Sequence, residues 1–366
     1  MKSSILEAKS ALGVPPKLGL LFLPIDAPHA QILELAGEQL GAPVVGATTG
    51  GAAFTERGFT RDGIVGALLG GDVEIALSVA KGISKSPDAL PSAIRSLSEK
   101  LGRQAAVLTL ADAFACDGEA LVSALRESTR VHVKHFGGTA GDNWTFKGTR
   151  VFAEGTVLSD AAVFVGLSTS APLSMSVHHG WFAAEGGREL QVTSADGTVI
   201  KTLDRRPAVE VYTEELQRLG LLAKGEEVVK VLALYELGVK TPFGEQLKIR
   251  APLAVGADGS ITVASSLREG SIVRIVTTTP DRLIEAAGVL ASRVLKPLQT
   301  KGLRGSLVFD CAARLQLLAD RYGEQVHAFR GGGTHPLLGM ACYGEIAKFA
   351  GSVEGFHNTT AVMVGW

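Results

Sequence analysis

The chain has 366 residues, 46% hydrophobic and 20% charged, with a formal net charge of −1. That length points to two domains with substantial cores, and the composition excludes a disordered chain. The charge balance gives no basic excess for nucleic acid and no polybasic tract for a membrane surface.

The opening stretch MKSSILEAKSALGVPPKLGLLFLP has no continuous apolar segment followed by a small-residue cleavage site. Apolar runs such as GLLFL fall far short of the roughly 20 residues a membrane span needs. The expectation is a soluble, cytoplasmic protein. Residues 17–24 then read as a short buried strand, and 28–41 as a helix ending in glycine. Residues 42–51 read as a strand running into a glycine turn. Residues 64–83 read as two strands broken at Gly70-Gly71, a hairpin pattern. A helix over 86–102 is stopped by Gly102, and 105–114 is a strand. The helix over 117–128 is capped by Asp117. Residues 132–142 form a strand ending in a second glycine turn, 149–169 a hairpin, and 173–181 a further strand.

Near residue 205 the pattern restarts. A turn and a short strand lead to a helix opening around Pro207, where a proline costs little. Strands are expected over 227–238, 248–267 and 271–279, and a helix over 280–295. A strand over 305–313 feeds a helix over 314–323. The glycine-rich stretch GGGTHPLLGMACYGEIAKF (331–349) follows, and 358–366 closes the chain. A weak repeat is visible: Gly46-x4-Gly51 after APVV, and Gly339-x4-Gly344 after HPLL. The expected class is α/β, with two related halves at 17–205 and 206–366. Each is a mixed β-sheet covered by helices, with α-β-β-α layering as one open arrangement.

None of the glycine turns is a nucleotide loop. GATTGGAAF and FGGTAGDN lack the lysine and hydroxyl of a P-loop, and no G-x-G-x-x-G opens the first strand–helix unit. Their ordinary role is positive φ or close backbone approach. No metal is expected. His178-His179 would diverge on a strand, as would His132 and His135, and no Cys-x-x-Cys exists. A single axial histidine to haem, His178 or His179, stays open.

The three cysteines, Cys116, Cys311 and Cys342, are widely spaced and odd in number, which fits a reducing compartment. Cys311 ends a strand and precedes a helix. There the dipole and Arg314 would lower its pKa, with His327, His335 or His357 as histidines to approach it. The plain alternative is a small packed thiol. Glu345, flanked by apolar residues, calls for a partner or a ligand. Arg314 and a ligand amine are both candidates, against a surface carboxylate at a helix start.

Several of these segments together resemble FIST-domain proteins. In the C-terminal half they are FDCAAR (309–314), GMACYGEI (339–346) and FHNTTAVMV (356–364). In the N-terminal half they are VVGATTGGAAF (44–54) and FGGTAGDNWTF (136–146). The stretch 177–216 resembles the link between the halves. Ala47-Thr48 stand where the family has Cys-Ser, and Ala52-Ala53 where it has Glu-Ile, while Gly344-Glu345-Ile346 is intact.

The resemblance implies a sensory module of bacterial signal transduction that binds small ligands such as amino acids. No output domain accompanies it, so a signalling protein such as a kinase or cyclase would be reached in trans. No catalysis and no cofactor are expected. The site would lie where the glycine turns of the halves converge, drawing on Thr48, Tyr343 and Gly344. Backbone N–H groups from Gly138 to Gly141 would bind a carboxylate, and Arg314 would do the same. Asp142 or Glu345 would take an amine, and Asn143 or Asn358 would orient it. The alternatives are a haem-binding nitric-oxide sensor through His178 or His179, and a thiol enzyme using Cys311.

Overall fold

The computed structural model describes residues 1–100, 105–242, 246–349 and 353–366. Its frame is a strand–helix–strand unit used three times, each with its two strands parallel. The first pairs Pro16–Leu23 with Val44–Thr48 around helix His29–Leu40. The second pairs Ala105–Ala111 with Lys134–Thr139 around helix Gly118–Ser128. The third pairs Ser306–Cys311 with Leu337–Cys342 around helices Ala312–Leu318 and Tyr322–Phe329.

These pairs sit in separate sheets. A five-stranded sheet holds the first. One six-stranded sheet runs Gly355–His357, Gly344–Lys348, Lys134–Thr139, Ala105–Ala111, Ala161–Ser168, Glu74–Lys81. The other runs Ser174–His178, Ala361–Gly365, Ser306–Cys311, Leu337–Cys342, Ala53–Thr55, Gly58–Thr60. Each six-stranded sheet therefore takes strands from both sequence halves. A nine-stranded assembly spanning 182–277 carries helix Ala208–Arg218.

Alternation along the strands explains the layering. Leu18, Leu20 and Phe22 point to a core that also holds Leu108, Phe136, Phe309 and Met340, and every buried member of that core lies on or beside a strand. Phe309 meets Phe22 at 6.1 Å and Phe136 at 6.4 Å between ring centroids, so each unit contributes one ring. The opposite faces carry the helices. Pro280–Leu295 and the two helices of the third unit cover one six-stranded sheet. Ala89–Ser98 and Gly118–Ser128 cover the other. The class is mixed α/β, with sheets inside and helices outside.

Local signals hold at several ends. The Asp117 carboxylate accepts from the N–H groups of Glu119 and Ala120, and Pro280 opens its helix behind the Thr279 cap. Other expectations are corrected. The hairpin over 64–83 does not form: Val65–Gly70 pairs with Pro16–Leu23, whereas Glu74–Lys81 pairs with Ala161–Ser168. Gly71, at φ 77°, turns the chain from one sheet to the next. Only Glu236–Lys240 of the strand expected over 227–238 is extended, because Val228–Lys230 winds into a 3-10 turn. The helix expected over 314–323 begins at Ala312 and breaks at Ala319, which sits at φ 47°. Helix Lys2–Leu12, closed by Gly13 in the left-handed region, was not anticipated. The stop expected at Gly102 lies outside the described residues. Among those residues no helix is long and apolar enough to cross a membrane.

The three units meet at the C-terminal ends of their parallel strands. A Cβ on Gly141 would stand 2.4 Å from the Gly50 backbone, closer than real carbons approach. Gly141→Ala is expected to lower stability by about 2 kcal/mol or more. Gly37→Ala, on an exposed helix face with nothing within 4 Å, is expected to raise it by roughly 0.5 kcal/mol. Urea midpoints of the two variants check this; equal midpoints would show that the turn contact yields without cost.

Candidate functional site

The three glycine turns close on one another through main-chain hydrogen bonds. The Gly141 N–H donates to Thr48 O at 2.9 Å, the Gly50 N–H to Ala341 O at 2.7 Å, and the Tyr343 N–H to Thr139 O at 3.2 Å. Thr48 reinforces the first link, its hydroxyl donating to Gly141 O at 2.7 Å and accepting from the Arg150 N–H at 3.0 Å. The Ala140 N–H donates to Ala111 O, and Gly138 lies in the ladder opposite Glu345. The Gly138–Gly141 segment is thus committed to the fold, which corrects its reading as a carboxylate cradle.

The ring of turns divides the expected site residues into two groups. On the outer side, Asp142 organises the loop that follows it. One carboxylate oxygen accepts from the Thr145 hydroxyl and the N–H groups of Lys147 and Gly148, and the other accepts from the Tyr343 hydroxyl at 2.6 Å. Burial opposes the charge, but the bonds from Tyr343, Gly148, Thr145 and Lys147 outweigh it and hold the carboxyl below its usual range. Asp142 is therefore the anchor of this loop and not a free acceptor for an amine. Asn143 is exposed beside it, with Trp144 half-buried.

On the inner side, Cys311, Cys342, Glu345 and Asn358 come together, all buried. Cys311 and Cys342 are register partners at the ends of their strands. Glu345 lies on strand Gly344–Lys348, not at a helix start. Gly344 faces the other way, where a Cβ would stand 1.9 Å from the Phe356 ring. One Glu345 carboxylate oxygen accepts from the Thr360 N–H at 3.1 Å, and the other accepts from the Cys342 thiol at 3.4 Å. The Cys311 thiol lies beside the same carboxyl. Burial, then the nearby Asp310, pushes the Glu345 pKa well up. Asn358 is 1% exposed, and neither its amide oxygen nor its amide nitrogen has a hydrogen-bond partner.

Arg314 does not reach this group. It is fully buried, pairs with Asp310 at 2.9 Å, and donates to Gln325, Leu283 O and His179 O. That corrects both of its expected roles, as partner of Glu345 and as receptor for a ligand carboxylate. It also removes the expected activation of Cys311. Burial, then the Glu345 carboxylate, pushes that thiol well above its ordinary pKa, so the dipole argument fails here.

Sequence reading missed Glu236 and Asp310. Glu236 is fully buried and accepts from the Thr359 hydroxyl at 2.7 Å, and burial pushes its pKa up to about 8. Asp310 is pushed up to about 6 by burial despite Arg314. His357, considered only as a histidine near Cys311, stands opposite Glu345 in the ladder with its Nε2 unpartnered. Thr359 is held at φ 48° between these residues. A buried carboxylate within an apolar strand such as ALYELG was the available signal for Glu236. His178 and His179 lie nearby, their rings 5.8 Å apart, and His179 Nδ1 accepts from the Trp181 N–H. Among the described residues no three His, Cys, Asp or Glu side chains are placed to hold a metal ion.

Comparison with known families gives two adjacent matches. The FIST N domain matches residues 17–206, and the FIST C domain matches residues 208–348. No curated protein matches the chain.

The buried carboxyls set the pH response. Glu236 has a folded pKa of about 8 against an ordinary 4.5. Between those values the folded protein keeps a proton that the unfolded chain has lost, so stability falls as pH rises through this window. Buried His135 and His179, both lowered to about 3, act oppositely, and stability also falls as pH drops below the ordinary histidine range. Glu236→Gln is expected to flatten the loss between pH 5 and 8 by up to ~1.4 kcal/mol per pH unit. Denaturant midpoints across that range test it; equal slopes for the variant and the parent protein would show that Glu236 ionises normally.

Proposed function

The chain belongs to the FIST family, and from that premise we propose that it binds a small amine-bearing ligand, an amino acid, at the buried group around Glu345. FIST domains are associated with signal transduction and small-ligand sensing. The observation that carries the reading is Asn358, a buried amide with both polar atoms unpartnered, in the turn beside Glu345. A buried amide left unpaired costs stability unless something completes it. Glu345 and Glu236 lack a cationic partner among the described residues, in contrast to Asp310, which has Arg314.

A ligand ammonium supplies the charge that these carboxyls lack. It favours the carboxylate form of Glu345 and so displaces the proton that burial holds there. Asn358 offers two N–H donors and an acceptor oxygen to the rest of the ligand. The position is the one where open α/β sheets take ligands, outside the carboxyl ends of parallel strands. The output of such a sensor passes to a separate signalling protein, of the kinase or cyclase kind.

Titration calorimetry with a panel of amino acids tests the reading. At least one member is expected to give a saturable heat, with protons released at neutral pH and therefore a heat that varies with the buffer's ionisation enthalpy. Glu345→Gln is expected to abolish that proton release and to weaken binding by about tenfold or more, a loss of ~1.4 kcal/mol. No heat and no thermal shift with any member would end the proposal, as would binding that neither Glu345→Gln nor Asn358→Ala alters.

A further inference from the structure

We infer a second ligand site, on the outer side of the ring of turns, that takes a small carboxylate with an aromatic or apolar body. A depression of about 300 Å³ lies there, lined by Arg61, Asn143, Trp144, Leu315, Gln316 and Ala319. That volume is at the lower end for small-molecule sites. Its lining is chemically one-sided. Arg61 is exposed and has no carboxylate partner among the described residues. Asn143 and Gln316 add amide groups, and no lining residue is acidic. Trp144 and Leu315 supply the apolar wall. A guanidinium with adjoining amide donors beside an indole face recognises a planar carboxylate attached to a ring.

The backbone around the depression is held in unfavourable conformations. Asn143, Trp144 and Phe146 lie at φ 53°, 63° and 52°, and Ala319 across the depression lies at φ 47°. For bulky residues the left-handed region is a true outlier, and such outliers cluster at ligand clamps. Asp142 and Tyr343 impose the conformation, because their bonds tie the loop from 144 to 148. The result is an indole set edge-on to Phe146 at 5.8 Å and tilted against Tyr343 at 5.5 Å, with Phe146 and Phe114 largely exposed. A Cβ on Gly51 would meet Asn143 and Leu315, so the first glycine turn packs against two of the lining residues. Nothing in the reading of the inner group around Glu345 requires this surface.

Benzoate and phenylacetate are the probes, with benzamide and phenylacetamide as neutral counterparts. Binding to the full chain is followed by saturation-transfer NMR on the probe and by tryptophan fluorescence, with Trp144→Phe identifying the responding indole. The carboxylates are expected to bind saturably and about tenfold more tightly than the amides. Arg61→Gln is expected to remove that preference. Arg61 is exposed and has no ion-pair partner among the described residues, so its replacement does not threaten the fold. The inference fails if neither carboxylate saturates in either measurement, if acid and amide bind alike, or if Arg61→Gln changes nothing.

Discussion

The structure depends on a contact between bare backbones. Where Gly50 meets Gly141, no side chain fits between the two turns. The main-chain bonds from Gly141 to Thr48, from Gly50 to Ala341 and from Tyr343 to Thr139 close only at that separation. The contact brings the carboxyl ends of three parallel strand pairs to one place. It also decides which side chains face inward. Cys342 and Glu345 end up behind the ring, and Asp142, Asn143 and Tyr343 end up in front of it. Both candidate sites follow from this one closure, which needs glycine because the approach is backbone to backbone.

Much of the frame was legible locally. Alternating strands, the Asp117 cap, the Pro280 start and the glycine turns are short-range signals, and they place most elements near their observed bounds. Pairing between distant segments has no such signal. Nothing near residue 70 shows that the two strands on either side of Gly71 belong to different sheets. Nothing near residue 344 shows that Gly344–Lys348 pairs with Lys134–Thr139 across the chain. The helix break at Ala319 was equally hidden, because LQLLADRYG has ordinary helical composition and tertiary packing imposes the φ of 47°.

The site was legible as a set of residues and not as a set of bonds. Cys311, Cys342 and Glu345 do converge, with Asn358 in the adjoining turn, whereas Tyr343 joins Asp142 on the other side of the ring. Arg314 was expected among them because a cation near a buried carboxylate is the economical solution. It goes instead to Asp310, next to last on strand Ser306–Cys311, where Gln325 and Tyr322 complete the network. The strand–helix junction brings these two near neighbours in sequence together, whereas Glu345 stands 31 positions away on another sheet.

The allocation of Arg314 has a physical consequence. A buried carboxyl with a partnered guanidinium is structural, since its charge is answered in the folded state. A buried carboxyl without one holds its proton more tightly, because no counter-charge answers the ionised form. Glu345 and Glu236 are of the second kind, and they stand beside an unpaired amide and a threonine held at positive φ. Breaches of local rules gather where a fold serves something besides its own stability. Some of them, Ala319 and Thr359 at positive φ and the unpartnered Asn358 amide, lie near the short helix Ala312–Leu318 and its cap. Its cap residue Cys311 lies beside the Glu345 carboxyl, and its Leu315 and Gln316 line the outer depression. One short helix thus carries both the Cys311 thiol and part of the wall of the outer depression.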